Sequence, residues 1–247
     1  MMKVLLNGAG GRMGRKLGEI LAERGPALEA ELAAAVDPAF PEGGGIRALA
    51  DYTGPADVIV DFSFHTAAPE LAAYAVKRKL PLVVATTGHT EAELEAIQAA
   101  AESIPVFHAS NLSMGIALLI EFAKKAAAAF PDADIEVVEA HHNRKVDVPS
   151  GTALTIANAM AEARPGSEVK IGRSDWGKRA PGEITVHSLR MGNIVGQHEV
   201  LITTDYQQLS IRHEAYDRAL LAEGALTAAR FLIDKPAGYY GMEDMTK

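Results

Sequence analysis

The chain has 247 residues, a mass of 26.2 kDa and a net charge of −8, with 48% hydrophobic and 23% charged residues. This composition is that of an ordinary globular protein, and the acidic balance argues against nucleic acid or an anionic membrane as the main partner. The lack of cysteine excludes disulfides, thiol catalysis and cysteine-ligated metal centres. Because no stretch resembles a signal peptide or a membrane span, we expect a cytoplasmic protein of one large or two modest domains.

The first half of the chain alternates short apolar runs with longer amphipathic ones. The runs predict strands over residues 4–6, 30–36, 57–62, 81–85 and 105–107. Between them the spacing predicts helices over residues 12–24, 66–79 and 90–102, the last with a capping box. Strands and helices that alternate in this way are typical of βαβ units and a parallel sheet.

The second half is organised differently, because its later strands follow one another without helices between them. The pattern predicts helices over residues 114–130, 150–163 and 217–233, and strands over 135–140, 184–190, 194–203 and 209–213. We therefore predict an α/β fold: a Rossmann-type parallel sheet domain plus a smaller α+β domain with a mixed, largely antiparallel sheet.

A glycine-rich turn joins the first predicted strand to the first helix. It consists of Gly8, Ala9, Gly10, Gly11, Arg12, Met13 and Gly14. Glycines in such a turn allow a dinucleotide pyrophosphate to approach the backbone at a helix N-terminus. Asp37 ends the second strand, about 20 residues after the turn, where an acidic residue binds the adenine ribose. Two alternatives stay open: a plain tight turn for the glycines, and a turn cap before Pro38 for Asp37.

Polar residues also follow the fourth and fifth predicted strands. These segments are Ala85-Thr86-Thr87 and Ser110-Asn111-Leu112. Ligands of open α/β sheets bind at the carboxyl ends of parallel strands, so these segments are candidate contacts for the nicotinamide ribose and carboxamide. As short peptides they are equally compatible with ordinary turns.

The most informative segment is residues 139–153, which places two imidazoles, an arginine and a lysine directly after an apolar strand. Basic residues concentrated in an acidic chain suggest an anionic ligand. Ser150, Gly151 and Thr152 then begin a helix, whose free N–H groups suit a carboxylate or phosphate. A solvated basic loop is the plain alternative. We expect no metal site, because neighbouring strand residues such as His141 and His142 point to opposite faces and no carboxylate triad accompanies them. We expect the following histidines to be structural: His65, His108, His187, His198 and His213.

Together these blocks resemble the 4-hydroxy-tetrahydrodipicolinate reductase (dihydrodipicolinate reductase) family. The matching segments are residues 8–15, Thr86-Thr87-Gly88 and residues 139–153, which read E-x-H-H-x-x-K-x-D-x-P-S-G-T-A. The resemblance implies NAD(P)H-dependent reduction of a dihydrodipicolinate-type cyclic dicarboxylate in diaminopimelate and lysine biosynthesis. It also implies a homotetramer whose final helix returns to the nucleotide domain. The expected domains are 1–112 with 217–247 for the dinucleotide, and 113–216 for substrate and oligomerisation.

The same resemblance implies roles for individual residues. His141 falls on the family's acid/base position and Lys145 on its proton donor, while His142, Gly151 and Thr152 fall on contacts to the substrate carboxylates. Ser150 belongs to the same substrate segment. The chemistry agrees, since reducing an unsaturated imine requires a hydride and a proton, and a His or Lys supplies protons at neutral pH.

The expected cofactor is NADH or NADPH. The Asp37 carboxylate favours the free ribose of NADH, and no arginine follows it to bind a 2′-phosphate, although Arg12, Arg15 or Lys16 could do so. We therefore expect dual use, with NADH at least as good as NADPH. Two other hypotheses are a different small-substrate dehydrogenase, related to aspartate or homoserine dehydrogenase, and a non-catalytic NAD-binding sensor.

Overall fold

A computed structural model describes residues 1–174 and 176–247. The N-terminal elements are β1 (Met2–Asn7), α1 (Arg12–Arg24), β2 (Ala30–Val36), β3 (Val58–Asp61), α2 (Ala68–Arg78), β4 (Leu82–Val84), α3 (Glu91–Ala100) and β5 (Pro105–His108). They are followed by α4 (Met114–Ala129), β6 (Asp134–His141), α5 (Gly151–Ala163), β7 (Glu168–Ile171), β8 (Glu183–Arg190), β9 (Gly196–Thr204) and β10 (Gln207–Ala215). The chain ends with α6 (Ala219–Leu232) and β11 (Gly238–Tyr240).

The chain divides into two compact units. Unit 1 consists of Met1–Ser113 and Ala219–Met245 with Lys247, so it is built from both ends of the chain. Unit 2 consists of Met114–Arg218 with Thr246.

Unit 1 contains a six-stranded parallel sheet in the order β11-β5-β4-β3-β1-β2. Successive strand side chains point to opposite faces, so Val4 and Leu6 pack with α1 and α6, while Leu5 packs with α2 and α3. A sheet covered on both faces explains why its strands are almost wholly apolar. The predicted Rossmann-type sheet is confirmed.

Unit 2 contains a five-stranded mixed sheet in the order β10-β9-β6-β8-β7. Its apolar face packs against α4 and α5 through residues such as Ile135, Val137 and Ile156. The mixed sheet agrees with the prediction. Among the described strands, however, its pairs divide evenly: β6 and β10 are antiparallel to β9, whereas β6 and β7 are parallel to β8.

Two observed strands were not expected from the sequence. Both β7 and β11 are short and lie at the edge of their sheets. A short edge strand buries little apolar surface, so it carries only a weak periodic signal. Neither strand changes the class of the fold.

Candidate active site

The glycine turn of unit 1 is packed too closely for side chains. Gly8 has a φ of +78°, and an added Cβ would lie 2.5 Å from the carbonyl carbon of Phe62. At Gly14 an added Cβ would lie 2.1 Å from the carbonyl oxygen of Gly8. The turn and the first turn of α1 therefore require glycine at both positions, as a pyrophosphate-binding turn does.

Asp37 joins the end of β2 to this turn. One carboxylate oxygen accepts a hydrogen bond from the Gly10 N–H at 2.8 Å, and the other accepts from the Ala39 N–H at 2.8 Å. The side chain thus does cap the turn around Pro38. It also borders the cavity described next, and a carboxylate has further lone pairs with which to accept from a ribose hydroxyl.

A cavity of about 870 Å³ lies in unit 1 along the carboxyl ends of β1, β2, β3 and β4. Eight of the candidate cofactor residues line it: Gly8, Gly11, Arg12, Met13, Asp37, Ala85, Thr86 and Thr87. The others do not line it: Ala9, Gly10, Ser110, Asn111 and Leu112. The Asn111 side-chain oxygen accepts from the Ser113 N–H at 2.9 Å, and Leu112 is buried in the core.

Sequence reasoning missed the carboxylate at the centre of this edge. Asp61 ends β3, is 1% exposed and accepts hydrogen bonds from Asn7 Nδ2 at 2.8 Å, Ser63 Oγ at 2.6 Å and Thr86 Oγ1 at 2.6 Å. It therefore links the ends of three neighbouring strands and orients Thr86. A buried acidic residue closing an apolar strand was the available signal, because such a group needs hydrogen-bond partners.

The structure also brings an arginine that the sequence reasoning did not consider to this end of the cavity. An isolated bridge pairs Ile46 with Val36, which brings Arg47 beside the end of β2. Arg47 lines the cavity, and its Nε and Nη2 donate to the Pro38 carbonyl at 3.2 Å. Arg47 thus binds the residue directly after Asp37, while Arg15 and Lys16 do not line the cavity.

In unit 2, β6 presents an oriented imidazole. Glu139 and His141 are two residues apart on the strand and share one face, and His141 Nδ1 lies 2.5 Å from a Glu139 oxygen. Burial lowers the pKa of His141 below its ordinary value, although the bond to Glu139 opposes this effect. An ionised carboxylate can only accept, so Nδ1 carries the proton and Nε2 keeps its lone pair.

Glu139 is itself held by other elements. It is completely buried, Arg190 donates to both of its oxygens at 2.8 and 2.9 Å, and the Ser150 N–H donates at 3.1 Å. Burial by itself would raise the pKa of Glu139, but hydrogen bonds from Arg190, His141 and the Ser150 N–H outweigh it and lower the pKa to about 2. Glu139 is therefore an anion at neutral pH.

The loop after β6 carries the basic residues. Lys145 Nζ lies 2.9 Å from an Asp147 oxygen, and the Lys145 N–H donates to the His142 carbonyl at 3.1 Å. Arg218 Nη2 lies 3.3 Å from His142 Nε2, and Arg144 donates to the Asn193 side chain at 2.6 Å. Burial, together with the charges of Arg144 and Arg218, lowers the pKa of His142. Sequence reasoning missed Arg218 and Asn193, which lie far from this loop in the chain.

The start of α5 lies against the same cluster. Ser150 is its N-cap: the hydroxyl accepts from the Ala153 N–H at 3.2 Å and lies 3.3 Å from His198 Nε2. The polar groups of Ser150 thus bind protein partners. Gly151 is exposed, and an added Cβ there would have no heavy atom within 4 Å, so this is where a ligand can approach the helix.

The described residues offer neither a metal centre nor a membrane-spanning helix. Among residues 1–174 and 176–247, no group of three or more His, Cys, Asp or Glu side chains could hold a metal ion. Within the same residues, every helix is too short or too polar to cross a membrane.

Comparison with known proteins decides the family. The family model described as "Dihydrodipicolinate reductase, N-terminus" matches residues 2–112, and "Dihydrodipicolinate reductase, C-terminus" matches residues 115–246. The chain belongs to the dihydrodipicolinate reductase family. It is 42% identical to a 4-hydroxy-tetrahydrodipicolinate reductase of Caldanaerobacter subterraneus subsp. tengcongensis, over 100% of this chain and 99% of the relative. It is 38% identical to the enzyme of the same name from Campylobacter jejuni, over 99% and 98%.

Solved structures agree with this membership. A dipicolinate-bound dihydrodipicolinate reductase from Paenisporosarcina sp. TG-14 is similar, with a TM-score of 0.79, 25% identity and 99% coverage of both chains. An aspartate dehydrogenase from Thermotoga maritima, at 14% identity and a TM-score of 0.51, shares the fold alone. The predictions of an NAD(P)H-dependent oxidoreductase, a nicotinamide cofactor and a step in diaminopimelate and lysine biosynthesis are confirmed.

Proposed function

We propose that unit 1 binds the nicotinamide cofactor, and that unit 2 binds a dihydrodipicolinate-type cyclic dicarboxylate formed from 4-hydroxy-tetrahydrodipicolinate, which is reduced to tetrahydrodipicolinate. The observation that carries this proposal is in unit 2. There His141 is oriented by a buried carboxylate and lies in one cluster with Lys145 and the exposed helix start at Gly151. The dipicolinate recorded with the Paenisporosarcina structure supports a dicarboxylate ligand.

The residues of unit 2 divide the chemistry of substrate binding and proton transfer. The helix start at Gly151 and Thr152, with His142, would hold the carboxylates, since N–H groups at a helix N-terminus favour anions. Lys145 would donate the proton and His141 Nε2 would act as the acid/base group. Ser150 would contribute by capping α5 and fixing its direction.

The residues of unit 1 fit a dinucleotide. Gly8 and Gly11 of the glycine turn line the cavity, where a pyrophosphate can approach the backbone, and the cavity residues around Asp37 and Thr86 supply polar contacts for the riboses. Ser110, Asn111 and Leu112 follow β5, the neighbour of β4, so we assign them to the nicotinamide end. When bound, the nicotinamide supplies the hydride, and the protein's task is to orient it.

Both cofactors are proposed to be used, with NADH at least as effective as NADPH. The Asp37 carboxylate favours the ribose hydroxyls of NADH. The Arg47 guanidinium, at the same end of the cavity, offers donors to the 2′-phosphate of NADPH.

We also propose a cytoplasmic homotetramer. Support comes from strand β10, which lies at the edge of its sheet and carries the exposed apolar side chain of Leu209, because such edge strands can pair with another copy. Light scattering of the purified protein at micromolar concentration is expected to give the mass of four chains, and a monomer would contradict this.

A coupled assay tests the reaction. The freshly made condensation product of pyruvate and aspartate semialdehyde is supplied with NADH in one series and NADPH in another. We expect oxidation of both, with NADH at least as effective. Binding of NADH without turnover would instead support the sensor, and turnover only with aspartate or homoserine would support the other dehydrogenase.

A further inference from the structure

Glu139 hydrogen-bonds to both parts of the proposed substrate site, the imidazole at the end of β6 and the start of α5. On one side it accepts from His141 Nδ1, and on the other from the Ser150 N–H at the start of α5. These bonds join the end of β6 to the N-cap of α5, the helix whose start is proposed to bind the carboxylates. A single buried carboxylate thus sets the position of the acid/base imidazole and of the anion-binding helix start.

A buried anion beside a site for a dianionic substrate requires compensation. Its charge would repel the substrate carboxylates and would be costly to desolvate without a partner. Arg190, at the end of β8, donates to both oxygens of Glu139 in a bidentate pair, which removes the net charge without removing the acceptor atoms. The Glu139–Arg190 pair therefore keeps the carboxylate oxygens that orient His141, while the arginine charge cancels their repulsion of the substrate carboxylates.

We propose that Glu139 and Arg190 are positioning residues: Glu139 holds His141 with its Nδ1 protonated and its Nε2 lone pair available, and Arg190 holds Glu139. Gly196 contributes to this arrangement, because an added Cβ there would lie 3.2 Å from His141 Nε2 and would cover it. The effect on activity rests on the proposed function, because it requires that His141 takes part in proton transfer. The positioning of His141 by Glu139 and Arg190 does not depend on that function.

The charged and titratable groups around His141 are Glu139, Lys145, Arg190 and His198. Glu139 is the only anion among them. Replacing it with a neutral group leaves Arg190 and Lys145 near the imidazole, the lysine paired with Asp147, so the pKa of His141 should fall further. The preference for a proton on Nδ1 should weaken as well, because the charged acceptor is gone.

The test is a titration of ¹⁵N-histidine-labelled full-length protein, followed by NMR, in wild type and Glu139→Gln. We expect the pKa of His141 to fall by about one pH unit and its Nδ1–H tautomer to lose its dominance. The kcat is expected to fall at least tenfold, as for a disturbed proton-transfer group, and its pH profile to move with the imidazole.

Glu136→Gln is the matched control. Glu136 lies on the same strand and binds His187 and Arg179 in a similar way, but it does not contact His141. The control should leave the His141 titration unchanged. Because Glu139→Gln removes the charged partner of Arg190 and so destabilises the fold, the double variant Glu139→Gln/Arg190→Gln and the milder Arg190→Lys are measured too.

An unchanged His141 titration in the folded variants would overturn the inference. That outcome differs from a failure of the proposed function. If His141→Gln keeps full activity while Glu139→Gln still shifts the imidazole, the role of His141 in the reaction is wrong but the positioning is right. If His141→Gln is inactive and Glu139→Gln leaves the imidazole unchanged, the positioning alone is wrong.

Discussion

Each unit has a buried carboxylate near the end of a central strand, but their partners differ in kind. In unit 1, Asp61 accepts from an amide and two hydroxyl groups, all of them neutral. In unit 2, Glu139 is paired with the Arg190 cation and an imidazole. Neutral partners fix the positions of the strand ends without shifting a proton, which suits a cofactor that supplies its own hydride. Charged partners shift the pKa of the neighbouring imidazole, which suits unit 2 because that unit is proposed to protonate the substrate.

The largest expected effect is on turnover, and it tests whether proton transfer belongs to unit 2 while cofactor binding belongs to unit 1. His141→Gln and Lys145→Ala should each lower kcat by roughly 10²–10⁴-fold, the range for losing a proton-transfer group. The dissociation constant for NADH, measured by fluorescence, should stay the same because both residues lie in unit 2. Near-normal turnover in both variants would show that His141 and Lys145 do not carry the proton transfer proposed for unit 2.

A second test uses the pH dependence of stability. Burial, followed by the effect of His141, lowers the pKa of His198 to about 4, while the unfolded chain titrates near the ordinary value of 6.5. Protons therefore bind the unfolded chain more readily as pH falls from 6.5 towards 4, and the folded state loses stability over that window. His198→Gln should reduce the loss between pH 7 and pH 5 by about 2 kcal/mol, since a full pH unit of linkage is worth about 1.4 kcal/mol.

Urea unfolding at pH 7, 6 and 5 measures this difference between wild type and His198→Gln. Each curve gives the free energy of unfolding by linear extrapolation. Parallel pH dependences in the two proteins would show that His198 does not titrate in this window.

A smaller effect is expected from filling the space at the start of α5. Gly151→Ala meets no protein atom, so it should fold normally but obstruct a carboxylate, raising the KM for the dicarboxylate about 10- to 100-fold. Gly18→Ala in α1 is the matched control, because an added Cβ there is also free of contacts. It should leave the KM unchanged and raise the free energy of unfolding by about 1 kcal/mol. Equal KM values for all three proteins would place the substrate elsewhere.

The smallest effect concerns the choice between cofactors in unit 1. Arg47→Gln should weaken NADPH binding about tenfold through the lost charged contact to phosphate, and should leave NADH binding unchanged. Arg15→Gln is the comparison, since that arginine is exposed but does not line the cavity. Calorimetric titration of each variant with NADH and with NADPH measures the dissociation constants. If Arg15→Gln weakens NADPH binding and Arg47→Gln does not, then Arg15 rather than Arg47 binds the 2′-phosphate.

The sequence alone was sufficient for the fold class, the family and the main chemical segments. Local periodicity and turn residues decide where strands and helices form, so the βαβ pattern of unit 1 could be predicted. The glycine turn and the segment 139–153 are also local, because their functional groups lie within a few residues of one another.

Only the tertiary structure decided which distant side chains meet at each site. Strand pairing brings Arg190 to Glu139, 51 residues away, and the bridge between Val36 and Ile46 brings Arg47 beside Pro38. Asp61 reaches Asn7 and Thr86 in the same manner, across the sheet. Such contacts depend on strand order and register, which periodicity along the chain does not encode, because any strand of similar pattern could occupy the same place.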